Sequence, residues 1–418
     1  MSVVMASDAK PSTSLTTRPD CYVTTFLAKT CAEIGFDISN RFGYSISMTR
    51  FLSFLCVLML MAFSPLGVGA QAPAKAKPPV YPSPTEIVAA APAADWADIA
   101  VNDLLVMDLS ADARGNLRRV LIQLLPAPFS QGWVGNIREL AEAHWWDGNS
   151  INRAQDNYVV QWGDPNSDDP KLAKKLPEGL VAVPYEEYAT DFLPIIRAQI
   201  KKLLRNPKLI EPIPTAGSEL KPCHAGRRCG SITVTASKSP IEPLQSDGGE
   251  RTNVVGSFHA GMPFGSTISV RKSVTHMPTW PTHCYGMVGV GRNLPPDTGT
   301  GAELYVVIGQ APRQLDRNIA LVGRVVEGME NLSTLPRGHG PLGFYDLSKG
   351  DERVPIRSVR LASDLPAADQ PHLQYLSTES ASFAKYVDAR ANRRDPFYIQ
   401  PAGGVDICNV PVPVRRRP

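Results

Sequence analysis

Short apolar runs separated by turn residues dominate this chain. Leu104–Leu109 (LLVMDL) and Arg119–Leu125 (RVLIQLL) flank a turn at Asp112–Asn116. Two more runs lie within Ile151–Asp164. Tyr285–Gly291 (YGMVGVG), Glu303–Gly309 (ELYVVIG), Ala320–Val326 (ALVGRVV) and Ile356–Ala362 follow. Runs of this length bounded by Gly, Pro, Asn and Asp read as strands. Many short strands with few helices argue for a closed β-barrel. The helical signals are few. Trp133, Ile137, Leu140, Ala141 and His144 fall at helical spacing and stop before Asp147-Gly148. A short helix is predicted at Met329–Leu335 and a C-terminal one at His372–Arg394.

At 418 residues the chain can bury one large core or two smaller ones. A net charge of +3 carries no footprint for nucleic acid. The 38 Pro and 32 Gly residues predict long loops. Met48-Thr49-Arg50, an apolar run to Phe63 and small residues through Ala72 describe a secretory signal peptide at 48–72. Residues 1–47 are then expected to be absent from the mature protein, which is exported and periplasmic. Membrane contact is expected only if that signal segment stays uncleaved. Residues 73–98, rich in Ala and Pro at their start, read as a flexible lead-in. Residues 99–364 form the barrel domain, interrupted by an insertion at 165–282. Within it Glu186–Arg205 has the pattern of a basic amphipathic helix packed on its own domain, and Ser231–Thr235 and Thr267–Val270 are candidate strands. Residues 365–418 make the C-terminal helix and a tail whose Arg415-Arg416-Arg417 reads as solvated.

Removal of the signal segment leaves Cys223, Cys229, Cys284 and Cys408. An even number in an exported protein permits disulfides, with free thiols as the alternative. Three pairings exist, and Cys223–Cys229 with Cys284–Cys408 is one. Cys223-His224 with Cys229 lacks zinc-site spacing and further ligands, so no metal is expected. Asp297-Thr298-Gly299 has no second copy, which removes the aspartic-protease reading. Cys284 beside His283 reads as structural rather than nucleophilic.

In Ile151-Asn152-Arg153 and Tyr158-Val159-Val160-Gln161-Trp162-Gly163-Asp164 the chain resembles the cyclophilin-type peptidyl-prolyl isomerases. Their motif is Phe-His-Arg-x-x-x-x-Phe-Met-x-Gln-Gly-Gly-Asp. GMVGVGR resembles their Gly-x-x-x-Met-Ala-Asn strand. GAELYVVIGQAPRQLDRNIALVGRVVEGME resembles their Gly-Ser-Gln-Phe-Phe-Ile, Leu-Asp-Gly and Phe-Gly-x-Val-x-x-Gly-Met sequence. The likeness covers roughly Leu104 to Asp364 outside the insertion. It implies a mainly β fold: an eight-stranded antiparallel barrel capped by two helices.

The resemblance places Arg153 as the catalytic arginine. Around it, Tyr158, Val159, Gln161, Gly291, Arg292, Tyr305, Leu315 and Ile319 would bind substrate. Proline-containing polypeptides are the implied partners, with no cofactor. Tyr158 and Val159 replace the family's Phe and Met, Tyr305 its pocket-floor Phe, and Ile319 its His. Gln161 and Leu315 are kept. Arg292 stands where the family holds the peptide by its backbone. Period-two alternation puts Val159 and Gln161 on one strand face and leaves Tyr158 to reach the groove through a bend or bulge. Tyr305 brings a hydroxyl that needs a partner. These departures predict weak or selective isomerase activity. The alternative is a non-catalytic peptide-binding module of the cell envelope.

Overall fold

The computed structural model describes residues 81–192, 245–246, 252–269 and 276–418. The signal segment, residues 1–47, Cys223, Cys229 and the candidate strand at 231–235 lie outside these. Eight strands close a barrel: β1 Leu104–Leu109, β2 Arg118–Leu124, β3 Ser150–Ala154, β4 Val159–Gly163, β5 Met287–Val290, β6 Leu304–Val307, β7 Leu321–Glu327 and β8 Val354–Leu361. Their order is β5-β6-β4-β3-β8-β1-β2-β7, and β7 pairs back to β5. Every pairing is antiparallel.

Alternation sorts the side chains. Val160 and Trp162 of β4, and Leu304 and Val306 of β6, enter the main core. Val159, Tyr305 and Val307 form a separate cluster on the outer face. Among the described residues four helices accompany the barrel: α1 Pro84–Ala89, α2 Gln131–Glu142, α3 Glu330–Ser333 and α4 Ala381–Ala391. Helix α2 sends Trp133, Ile137, Leu140 and Ala141 into the core. The helix expected at Met329–Leu335 is a single turn, α3, which buries Leu332.

The chain ends depart from expectation. Within the lead-in, Ser83 and Glu86 make a reciprocal capping box at the start of α1, with Pro84 inside it. Such a box satisfies orphan donors and fixes a helix start. The helix expected at His372–Arg394 begins instead as a strand, Leu373–Leu376, and α4 starts only after Ser380 caps it. Val414–Arg416 is also a strand, paired to Leu373–Leu376. Its arginines are engaged: Arg415 lies 4.1 Å over the Trp96 ring and Arg416 bonds Glu327 at 2.5 Å. The ends condense around Leu376, Phe383, Tyr386, Val387, Val410 and Val412, against which Ile87 and Val88 of α1 pack. A disulfide, Cys284–Cys408, ties this second core to the barrel.

The insertion contributes a five-stranded sheet ordered Thr190–Asp191, Pro278–Pro281, Met262–Ser269, Thr252–His259, Gln245–Ser246. The expected strand at Thr267–Val270 is the end of Met262–Ser269. The helix expected from Glu186 does not start there. Tyr185–Tyr188 is a 3-10 turn and Thr190–Asp191 a strand, because the Asp191 carboxylate takes the Met277 amide at 2.9 Å. The rest of that helix lies outside the described residues.

Candidate active site

Four barrel strands build one transverse row. Arg153 on β3 faces Gln161 on β4, Gln161 faces Tyr305 on β6, and Tyr305 faces Gly289 on β5. Cross-strand partners project to the same face of a sheet. A guanidinium, an amide and a phenol ring therefore stand side by side on the barrel's outer surface. Gly289 is required there, since an added Cβ would collide with the Tyr305 ring and hydroxyl.

The apolar half is the cluster of Val159, Tyr305, Val307, Leu315 and Ile319, with Tyr158 packed against it. Tyr158 arrives from the hairpin turn before β4, where Asn157 takes a left-handed φ of 50°. The bulge lies elsewhere, between Ile151 and Arg153 on β3. Leu315 ends a 3-10 turn, Arg313–Leu315, and the Ile319 amide donates to its carbonyl at 3.2 Å.

The Tyr305 hydroxyl meets His283 Nε2 at 2.8 Å, and His283 Nδ1 meets Asp316 Oδ1 at 2.8 Å. All three side chains are buried. Burial opposes the Asp316 charge, but bonds from His283, with Arg313 nearby, hold its carboxyl below the ordinary range. The hydroxyl's demand is thus met beneath the cluster. Tyr305→Phe would leave His283 Nε2 unpartnered, and a loss of about 1–3 kcal/mol is expected on thermal or denaturant unfolding. An unchanged midpoint would mean that this network contributes nothing.

Arg153 is the polar centre and is 0 % exposed. Its Nε donates to the Leu342 carbonyl at 2.7 Å, and its other nitrogens donate to Gln161 Oε1, at a long 3.4 Å, and to Gln155 Oε1. Its charge lies 5.5 Å from the Tyr158 ring centre and 5.3 Å from that of Phe344. Burial pushes the guanidinium down to about 10, opposed by Tyr158, so it stays charged at neutral pH. Leu342 and Phe344 belong to a strap, residues 338–345, that runs along β3. The Gly338 amide donates to Ala154 and the Tyr345 amide to Asn152. Sequence reading gave no sign of this strap.

Gly291 and Arg292 follow β5. The Gly291 amide donates to the Glu303 carbonyl at 2.7 Å. The Arg292 guanidinium donates to the carbonyls of Asn293 and Asn318, bracing its own loop. Glu303 was not singled out by sequence, although it stands where the family's Gly-Ser-Gln segment has Gln. Its Oε1 accepts the Asp164 amide at 2.8 Å. Burial is the main force raising its carboxyl to about 8, and Asp164 and Asp168 push the same way.

The folded protein therefore holds this proton more tightly than the unfolded chain. Stability should fall as pH rises from about 4.5 to about 8 and then level off, by roughly a few kcal/mol. Glu303→Gln should remove that slope in denaturant titrations across the window. An identical slope in the variant would assign it to other groups.

No cluster of three or more metal-ligating side chains occurs among the described residues, and none of their helices is long and apolar enough to cross a membrane. The fold is a closed eight-stranded antiparallel β-barrel that carries the Arg153–Gln161–Tyr305 row on its outer face. The sequence matches the family described as cyclophilin type peptidyl-prolyl cis-trans isomerase/CLD over residues 127–361, and the chain belongs to that family. It is accordingly a peptidyl-prolyl cis-trans isomerase by class. Among solved structures it is similar to a cyclophilin from Hirschia baltica, at 19% identity, covering 77% of this chain and 94% of that one, with a TM-score of 0.49. It is also similar to a Cryptosporidium parvum cyclophilin-type isomerase solved with the dipeptide Ala-Pro, at 8% identity, 61% and 98% coverage, and a TM-score of 0.28. No curated protein matches the chain.

Proposed function

We propose that this chain exchanges Xaa-Pro bonds of exported polypeptides between cis and trans by arginine-assisted stabilisation of the twisted amide. A peptide C–N bond resists rotation because the nitrogen lone pair is delocalised into the carbonyl. Uncatalysed prolyl exchange takes tens to hundreds of seconds. Millisecond exchange needs a barrier lower by ~5–7 kcal/mol. In the transition state the nitrogen regains its lone pair, and a fixed donor can then bond it or the prolyl carbonyl. Arginine fits because its planar fork keeps its charge. The observation that carries the reading is the row Arg153–Gln161–Tyr305, which sets the donors beside an apolar cluster suited to a pyrrolidine ring.

Peptide entry requires the strap to yield the Arg153 donor now held by Leu342. That contact favours a second reading, a peptide-binding module without turnover. Exchange spectroscopy on a short Xaa-Pro peptide, with protein lacking the signal segment, separates the two. Peptide binding without accelerated exchange would defeat the catalytic reading. Export is supported by the signal-like segment and by the Cys284–Cys408 bond, since such bonds persist in oxidising compartments.

A further inference from the structure

Glu303 lies on the same side of its strand as Tyr305, two residues away, and beside Gln161. Its carboxyl occupies the space over Gly163, where any Cβ would collide with it, and a Cβ on Gly291 would come within 3.0 Å of its own Cβ. Two glycines on neighbouring segments thus leave room for this one side chain. Its polar contacts form a chain. The Asp164 amide donates to Glu303, the Gln161 amide group also bonds it, and the Gln161 carbonyl accepts from Arg153. Gln161 can satisfy both neighbours only with its NH2 toward Glu303 and its oxygen toward Arg153.

We propose that Glu303 is a positioning residue for the isomerase site, acting through Gln161 on Arg153, and that loss of its proton weakens catalysis. The proposal rests on the arginine reading given above. A neutral carboxyl orients Gln161 and leaves the guanidinium free to turn to the prolyl nitrogen. A carboxylate would draw the Gln161 NH2 more strongly, polarise its carbonyl and tighten that carbonyl's hold on Arg153. It would also lower the positive potential at the cleft, where the amide nitrogen must gain electron density. Both effects have the same sign.

The surroundings make the neutral form the resting one. Asp164 and Asp168, from the loop after β4, oppose a third negative charge. Arg353, just before β8, and Tyr345, from the strap, border the same cavity of about 210 Å³, together with Gln161 and Glu303. Arg353 is the cation that lines this cavity, and Arg153 acts through Gln161. Burial holds the proton to about pH 8, within the range where a change of protonation can alter turnover.

The test is the pH profile of kcat/KM for a prolyl peptide between pH 6 and 9.5, for wild type, Glu303→Gln and Arg153→Ala. Wild type should lose about threefold to tenfold in activity with a midpoint near 8. Glu303→Gln, whatever its absolute rate, should show no such fall across this range. A second readout needs no turnover: the side-chain carboxyl carbon of Glu303 and the Nε of Arg153, followed by NMR in the wild type, should titrate with one shared midpoint. A flat wild-type profile, a fall that persists in Glu303→Gln, or an Arg153 resonance that ignores the Glu303 titration would overturn the proposal. Wild type no faster than Arg153→Ala at every pH would instead defeat the arginine mechanism, and the NMR titration would then decide the coupling alone.

Discussion

Arg153→Ala is expected to reduce kcat/KM for a prolyl peptide by about 10²–10³-fold, the usual consequence of removing one preorganised donor to a transition-state charge. The twisted amide offers a lone pair that the ground state lacks, so a donor aimed there acts on the barrier and little on peptide affinity. The loss should therefore fall mainly on kcat. Arg153→Lys is the sharper test. Lysine keeps the charge but not the planar fork that bonds Leu342, Gln161 and Gln155 together. Most of the loss should persist with Lys, while near-wild-type activity in Arg153→Lys would show that charge alone suffices. Because Arg153 is fully buried, the variants will also leave carbonyls unpartnered. Near-ultraviolet circular dichroism and the unfolding midpoint must accompany the rates. A folded Arg153→Ala protein with undiminished exchange would remove the guanidinium from the mechanism.

The row that carries this prediction was legible because it depends on two regularities. Strand alternation put Val159 and Gln161 on one face, and motif spacing put Tyr305 beside them. Residues brought together by closure of the barrel were not legible. His283 and Asp316 are 33 positions apart and meet only because β5 and β6 pair and the 3-10 turn folds back beneath them. Glu303 carried a readable signal, since it precedes Tyr305 by two and so shares its face. Its carboxyl acquires chemical meaning only from the two glycines and Asp164 packed around it. The strap is irregular chain without periodicity, so nothing in its sequence announces that it covers Arg153. The misread ends have a similar cause. The run from His372 contains apolar residues at spacings that a helix tolerates. Pairing with both Trp96–Asp98 and Val414–Arg416 makes its first four residues, from Leu373, a strand.

Reduction of the Cys284–Cys408 bond is expected to have the largest effect on stability. The two cysteines are 124 residues apart. Cross-linking a loop of that length removes much entropy from the unfolded chain, and losing the bond should cost about 2–5 kcal/mol, or roughly 3–7 °C in Tm for a folded chain of this size. The location predicts what fails first. Cys284 belongs to the main core, just before β5, whereas Cys408 sits between Ile407 of that core and Val410 of the second one. With the bond cut, the second core retains its own packing and the pairing of Val414–Arg416, but loses its covalent anchor. Hydrogen exchange in the Cys284→Ser, Cys408→Ser double variant should rise first across residues 373–416, with barrel amides still protected. Catalysis should change little, because neither cysteine touches the Arg153 row. Equal melting of oxidised and reduced protein, or loss of protection beginning in β3 and β4, would mean that the bond does not fasten the C-terminal layer. The first outcome would leave non-covalent contacts as the whole attachment, among them packing at Ile407 and Leu373 and the ion pair of Arg416 with Glu327.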